Sequence, residues 1–163
     1  MVGQLFALII AAASFEGEVT AGSPFCALDA RVVVSERLTL GAHLDLAGDF
    51  AAFRALAVGR LRLVDALHLT VGIGRAIAFR GEDTWEADLG LDATIPLDDV
   101  TAARLGAHAL GYLGDDPQAR GVIFLGRVGV QVRIADPMQL ILDLGWMASA
   151  DLDRPYGAIG VAF

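Results

Sequence analysis

Three histidines (His43, His68, His108) and four serines (Ser14, Ser23, Ser35, Ser149) are the residues from which acid–base or nucleophilic chemistry would be built in this chain. Hydrolases and acyltransferases can combine serine, histidine and an acid. A hydrolytic site of that kind needs a serine hydroxyl that passes its proton to an imidazole, itself oriented by a carboxylate. Ser14 borders an apolar N-terminal stretch, and Ser23 and Ser35 fall in turns. Only Ser149 shares a face with a histidine, and no G-x-S-x-G frames it. The three histidines fall on the polar faces of three different segments, where a hydrogen-bonded interior histidine is the simpler reading. An aspartate/histidine protease would need acids gathered beside a histidine on long loops, and the loops here are short. The residues argue against an enzyme. Cys26 is the lone cysteine, so no internal disulfide forms, and no Cys/His spacing holds a metal. No cofactor is expected.

Charge offers a different chemistry. Twelve basic residues face twenty acidic ones, for a net charge of −8. That balance argues against nucleic acid, which is bound by clustered Lys and Arg. Every basic residue is Arg and Lys is absent, whereas a soluble domain ordinarily carries Lys and Glu on its surface. Hydrophobic residues make up 55% of the chain, yet no window of about 20 apolar residues exists to form a spanning helix. The apolar content must be absorbed another way.

The period of the pattern says how. From residue 15 onward it is two, the period of a strand, rather than the 3.6 of a helix. Met138, Leu140, Leu142, Leu144 and Trp146 share one face, and Gln139, Asp143 and Ser149 the other. Val122, Phe124, Val128, Val130, Val132 and Ile134 oppose Arg127, Gln131 and Arg133. Trp85, Leu89, Leu91, Ile95 and Leu97 oppose Glu86, Asp88, Asp92 and Thr94. Carried along the chain, the alternation predicts ten strands at 15–22, 26–34, 38–46, 53–63, 67–79, 85–97, 102–113, 122–134, 138–148 and 156–163. Connections at 35–37, 64–66, 98–99 and 135–137 are tight. Those at 48–52, 80–84, 114–121 and 150–155 are longer and polar, while 23–25 is short for its side.

An even number of strands of about 9–11 residues, with short turns at one end and longer loops at the other, predicts a ten-stranded antiparallel up-and-down transmembrane barrel occupying residues 14–163. Residues 5–13, with small residues before Ser14, read as the hydrophobic part of an export signal over residues 1–13, although no Lys or Arg precedes them. A hydrophobic first strand or core helix is the alternative.

A soluble lipid-binding barrel would turn the apolar face inward; a membrane barrel turns it outward. Four features favour the membrane. The apolar face carries one charge, Arg75. The polar face mixes arginine with Gly41, Gly72, Gly74, Gly90, Gly106, Gly129 and Gly160, as suits a crowded interior. Phe53, Phe79, Trp85, Phe124 and Trp146 fall at one end of their strands, with Phe15 and Phe163 at the other, like interfacial girdles. Finally, Tyr156, Ile159, Val161 and the terminal Phe163 lie on a last segment, YGAIGVAF. This segment resembles the C-terminal strand of Gram-negative outer-membrane β-barrels. That resemblance implies a place in the bacterial outer membrane, contact with its lipid and lipopolysaccharide, and reading of the strand by the barrel-assembly machinery.

On this parity the interior holds Arg31, Arg54, Arg60, Arg62, Arg104, Arg127 and Arg133 against Glu16, Glu18, Asp29, Asp45, Glu86, Asp88, Asp92 and Asp143. A lining of one sign would mark an ion-selective pore. Near-balance predicts a network of paired charges that occludes the lumen of a structural protein. Expected pairs are Arg127 with Asp143, Arg104 with Asp92, and Arg31 with Glu18. The alternatives are a narrow channel for ions or small solutes and a soluble barrel for an apolar ligand. Arg75 either reaches a lipopolysaccharide phosphate, with Arg80 beyond it, or is turned inward by a bulge at Gly72 or Gly74. The loop acids Glu82, Asp83, Asp115, Asp116, Asp151 and Asp153 read as a solvated rim.

Overall fold

A computed structural model of the chain describes residues 14–23, 25–47, 52–78, 83–113, 121–149 and 153–163. Residues 1–13, Phe79, Arg80, Glu82, Asp115, Asp116 and Asp151 lie outside the described residues, and with them most of the expected long loops. Alternating sequence becomes strand wherever it occurs. The ten strands are β1 (Phe15–Ser23), β2 (Phe25–Val33), β3 (Leu38–Ala47), β4 (Ala52–Val64), β5 (Leu67–Ala78), β6 (Thr84–Pro96), β7 (Thr101–Tyr112), β8 (Val122–Arg133), β9 (Gln139–Ala148) and β10 (Asp153–Ala162). Each pairs antiparallel with its neighbours in sequence, and β1 with β10 closes the barrel. Closure leaves no strand edge unpaired.

The seam carries a device of its own. Gly17 and Phe163 exchange backbone hydrogen bonds of 2.8 and 2.9 Å. A Cβ on Gly17 would lie 2.6 Å from the Phe163 ring. The terminal aromatic thus lies over a glycine that leaves room for it, as aromatics cover strand glycines elsewhere.

The tight turns gather at one end, here the turn end, together with Phe15 and Phe163. Two of them are held by their own side chains. The Asp98 side chain accepts from the backbone N–H of Val100 (2.9 Å) and Thr101 (2.7 Å). Those N–H groups hold its carboxyl below the ordinary value. Ser35 Oγ accepts from Leu38 N–H at 3.1 Å. The sequence misplaced the start of β10. Asp153, Arg154 and Pro155 read as loop, yet they pair with Ala148, Met147 and Trp146. Proline carries no N–H to donate, which is why it argued against a strand there.

The outer wall is apolar. Val71, Ile73, Leu89, Leu91, Val128, Leu142, Leu144 and Ile159 all stand exposed on it. In a barrel of this size such a continuous exposed surface is far larger than the patches seen on soluble monomers. The inner wall carries the charges. The fully buried apolar side chains Ile141 and Met147 also face inward, between Gln139 and Asp143 and beyond Gly145 on β9.

Candidate functional site: the charged lumen

The strands are strongly staggered. From Glu18 the row of paired residues runs through Asp29, His43, Leu56, Gly74 and Glu86 to Tyr112 on β7. In the other direction it runs through Ala162 and Gln139 to Arg133. It therefore meets the β7–β8 region at opposite ends of the barrel, as closure with tilted strands requires. Of the three pairs expected at equal depth one meets, whereas Asp29 and His43, Asp45 and Arg54, Asp92 and Arg127, and Arg104 and Asp143 each share a tilted row and are in contact.

Two networks result. In the first, Arg54 Nε donates to Glu86 at 2.7 Å and its Nη1 donates to Asp45 at 2.8 Å. Asp45 also meets His43 at 3.1 Å. The other nitrogen of His43 lies 3.1 Å from Asp29, which pairs with Arg31 at 3.2 Å. In the second, Arg104 bridges Glu18 (2.9 Å) and Asp143 (3.5 Å). Arg127 lies 3.8 Å from Asp143 and donates to Asp92 at 2.5 Å. Asp92 further accepts from Thr70 at 2.8 Å and meets His108 at 3.2 Å, and His108 in turn meets Asp88 at 3.0 Å.

Of the expected pairs, Arg127 with Asp143 is present as the longer of two contacts. Arg104 does not meet Asp92, nor Arg31 Glu18, among the described residues; stagger gives Asp92 to Arg127 and Glu18 to Arg104. Glycine makes these reaches possible. Gly106 stands between Asp92 and Arg127 in the register, and a Cβ there would lie 2.6 Å from Arg127 Nε. Gly129 stands between Arg104 and Asp143, and its Cβ would lie 2.0 Å from an Asp143 oxygen.

Arg60, Arg62 and Arg133 share the inner face but enter neither network. Arg62 is exposed, where a register irregularity between Arg62 and Val64 ends β4. Arg133 is exposed at the end of β8. Arg60 is half-buried, and its Nε is buried without a hydrogen-bond partner.

The networks do not fill the lumen evenly. A cavity of about 530 Å³ reaches the exposed turn-end residues Glu16, Pro137 and Phe163, and ends against Asp45, Arg54, Leu110 and Tyr156. Beyond it, toward the loop end, Glu86, Met147 and Ala76 are buried, Glu86 completely. The sequence reading missed this space. Its signal was the run of small inward residues Thr20, Ala27, Thr94, Ala158 and Ala162, all of which line the cavity.

On the outer wall, Trp85, Phe124, Trp146 and Phe163 are each more than half exposed, and Phe53 is partly so. Arg75 stays outside, because β5 keeps unbroken register through Gly72 and Gly74. Its guanidinium pairs with Asp83 at 3.3 Å and lies over the Trp85 ring, 5.7 Å from the centroid. At the loop end of β9, Trp146 Nε1 donates to Asp153.

This wall, this closure and this alternation identify the architecture. The fold is that of transmembrane β-barrels. The translocator domain of autotransporter NalP from Neisseria meningitidis is similar to it at 11% identity and TM-score 0.57, with 100% of this chain and 94% of that chain covered. A KdgM porin is similar at 9% identity and TM-score 0.52, with 91% and 97% covered. At these identities the likeness concerns the fold alone. No family model matches the sequence, and no curated protein matches it.

Proposed function

We propose that this chain is an integral β-barrel of the bacterial outer membrane, structural rather than enzymatic, whose lumen is sealed on its loop side by paired charges. The observation that carries the sealing is Arg54, held between Asp45 and Glu86 across three strands, with Glu86 fully buried. Two carboxylates fix one guanidinium in place, so the side chain cannot swing aside without leaving the buried Glu86 without its ion pair, at a cost of several kcal/mol. The apolar wall supports immersion in acyl chains. The loop-end position shared by Arg75, Trp85, Trp146 and Asp153 suits the headgroup level, where Arg75 meets lipopolysaccharide phosphate. The Phe163 strand at the closing seam is the segment the barrel-assembly machinery would read.

The turn-end cavity favours a second reading, a narrow channel that opens when the Arg54 contacts break. Planar-bilayer recording separates the two. The sealed barrel gives no steady current over the ordinary voltage range, and Arg54→Ala opens one. Steady conductance through the wild-type protein would replace the structural reading with the channel.

A further inference from the structure

The turn-end half of the lumen contains a cation with nothing to bind. Arg60 projects from β4 into the cavity and makes no ion pair among the described residues, and its Nε is buried and unpartnered. Its charged neighbours are Arg31, Arg127, Asp92 and Glu16. None of the four neutralises it. Asp92 already serves Arg127, Thr70 and His108. Arg31 and Arg127 are like charges, committed to Asp29 and Asp92. Glu16 is exposed at the rim. A guanidinium held in a walled space without an anion costs free energy that a bound anion would return.

Thr39 and Thr70 flank Arg60 on the neighbouring strands, and part of the cavity wall is apolar. Leu56 and Val58 precede it on the same face of β4, and Leu110 and Leu125 also line the cavity. A volume of about 530 Å³ falls within the range of small-molecule sites.

We propose that this cavity binds a small organic anion from the turn end, with Arg60 as its charge partner and the aliphatic wall around its body. The anionic head is a carboxylate or a phosphate, because both accept two parallel N–H donors from one guanidinium. The site lies outside the Arg54 seal, so it does not depend on whether the barrel conducts.

Calorimetric titration of the folded barrel in non-ionic detergent tests it, with benzoate, inorganic phosphate and benzyl alcohol as probes. Benzoate binds saturably at one site, phosphate binds more weakly for lack of an apolar body, and benzyl alcohol does not bind. Arg60→Gln weakens benzoate at least tenfold, Arg60→Lys retains part of the affinity, and Arg62→Gln, outside the cavity lining, changes nothing. Heat-modifiable gel mobility verifies that each variant is folded; no charge partner is orphaned by losing Arg60. Absence of saturable benzoate binding to the wild type, or equal binding by Arg60→Gln, would overturn the proposal. Phosphate binding as tightly as benzoate would overturn the apolar-body part of it.

Discussion

The two halves of the lumen are lined by the same residue types and behave differently. Toward the loops, Arg54 has two carboxylates within 2.8 Å and is nearly inaccessible. Toward the turns, three positions along the same face of the same strand and past Leu56 and Val58, Arg60 has none. Charge content does not distinguish the two halves. What distinguishes them is whether the tilted rows bring an acid from β3 or β6 to each arginine, and whether a glycine or alanine between them leaves a path. In the function proposed above, the guanidinium with paired acids is the seal and the guanidinium without them is the site.

This contrast is broken most severely at Arg54. Arg54→Ala leaves Asp45 and Glu86 buried without their cation, and the loss should reach about 3–5 kcal/mol. Arg60→Gln strands no acid and should cost well under 1 kcal/mol. Urea titration of folded gel mobility in lipid vesicles measures both, and equal costs would erase the distinction between the halves.

The second network sits between these extremes. Asp92→Ala removes the acceptor of Arg127, Thr70 and His108 and should cost about 3 kcal/mol. Asp143, whose ion-pair contacts are 3.5 and 3.8 Å, should cost less as Ala and less still as Asn. The reverse order would mean that the shorter contacts are not the stronger ones.

Glycine substitutions sharpen the steric side. At Gly129 a Cβ would meet the Leu142 carbonyl oxygen at 2.4 Å as well as Asp143, and backbone cannot yield. Gly129→Ala should cost about 1–3 kcal/mol through overpacking. Gly106→Ala meets mainly side-chain atoms of Arg127 and Asp92 and should cost less. Gly126, on the outer wall of the same strand as Gly129, has open space, and Gly126→Ala should be nearly neutral.

The smallest effect belongs to the Asp98 turn. Its lowered carboxyl contributes stability that is present above the unfolded-state value and is lost as pH falls through the folded one. Asp98→Ala should therefore flatten the acid limb of the stability curve and leave the alkaline limb unchanged. An unaltered acid limb would show that the turn does not need the carboxylate.

Strand count, antiparallel order and the face of almost every side chain were legible in the sequence, because period-two alternation fixes both at once. Leu140, Leu142 and Leu144 alone define the outer face of β9. The pairing of charges was not legible. Depth along a strand can be counted, but stagger between strands depends on closure of the whole barrel, which no local segment records. That is why Arg104 was expected to meet Asp92 and meets Glu18 and Asp143 instead. The open cavity was hidden for a similar reason. Thr94 lies on β6 and Ala158 and Ala162 on β10, and only the closed register brings them around one space.

Thiol labelling inside the lumen tests the contrast between the halves most directly. Cys26 is the lone cysteine, and Cys26→Ser provides a background free of thiols. Thr94→Cys places a thiol in the turn-end cavity, and Ala76→Cys places one in the sealed half, where Ala76 is buried. With a small charged methanethiosulfonate, the barrel described here labels at residue 94 at least tenfold faster than at residue 76, and Arg54→Ala removes the difference. Equal labelling of the two thiols in the otherwise native lumen would contradict it.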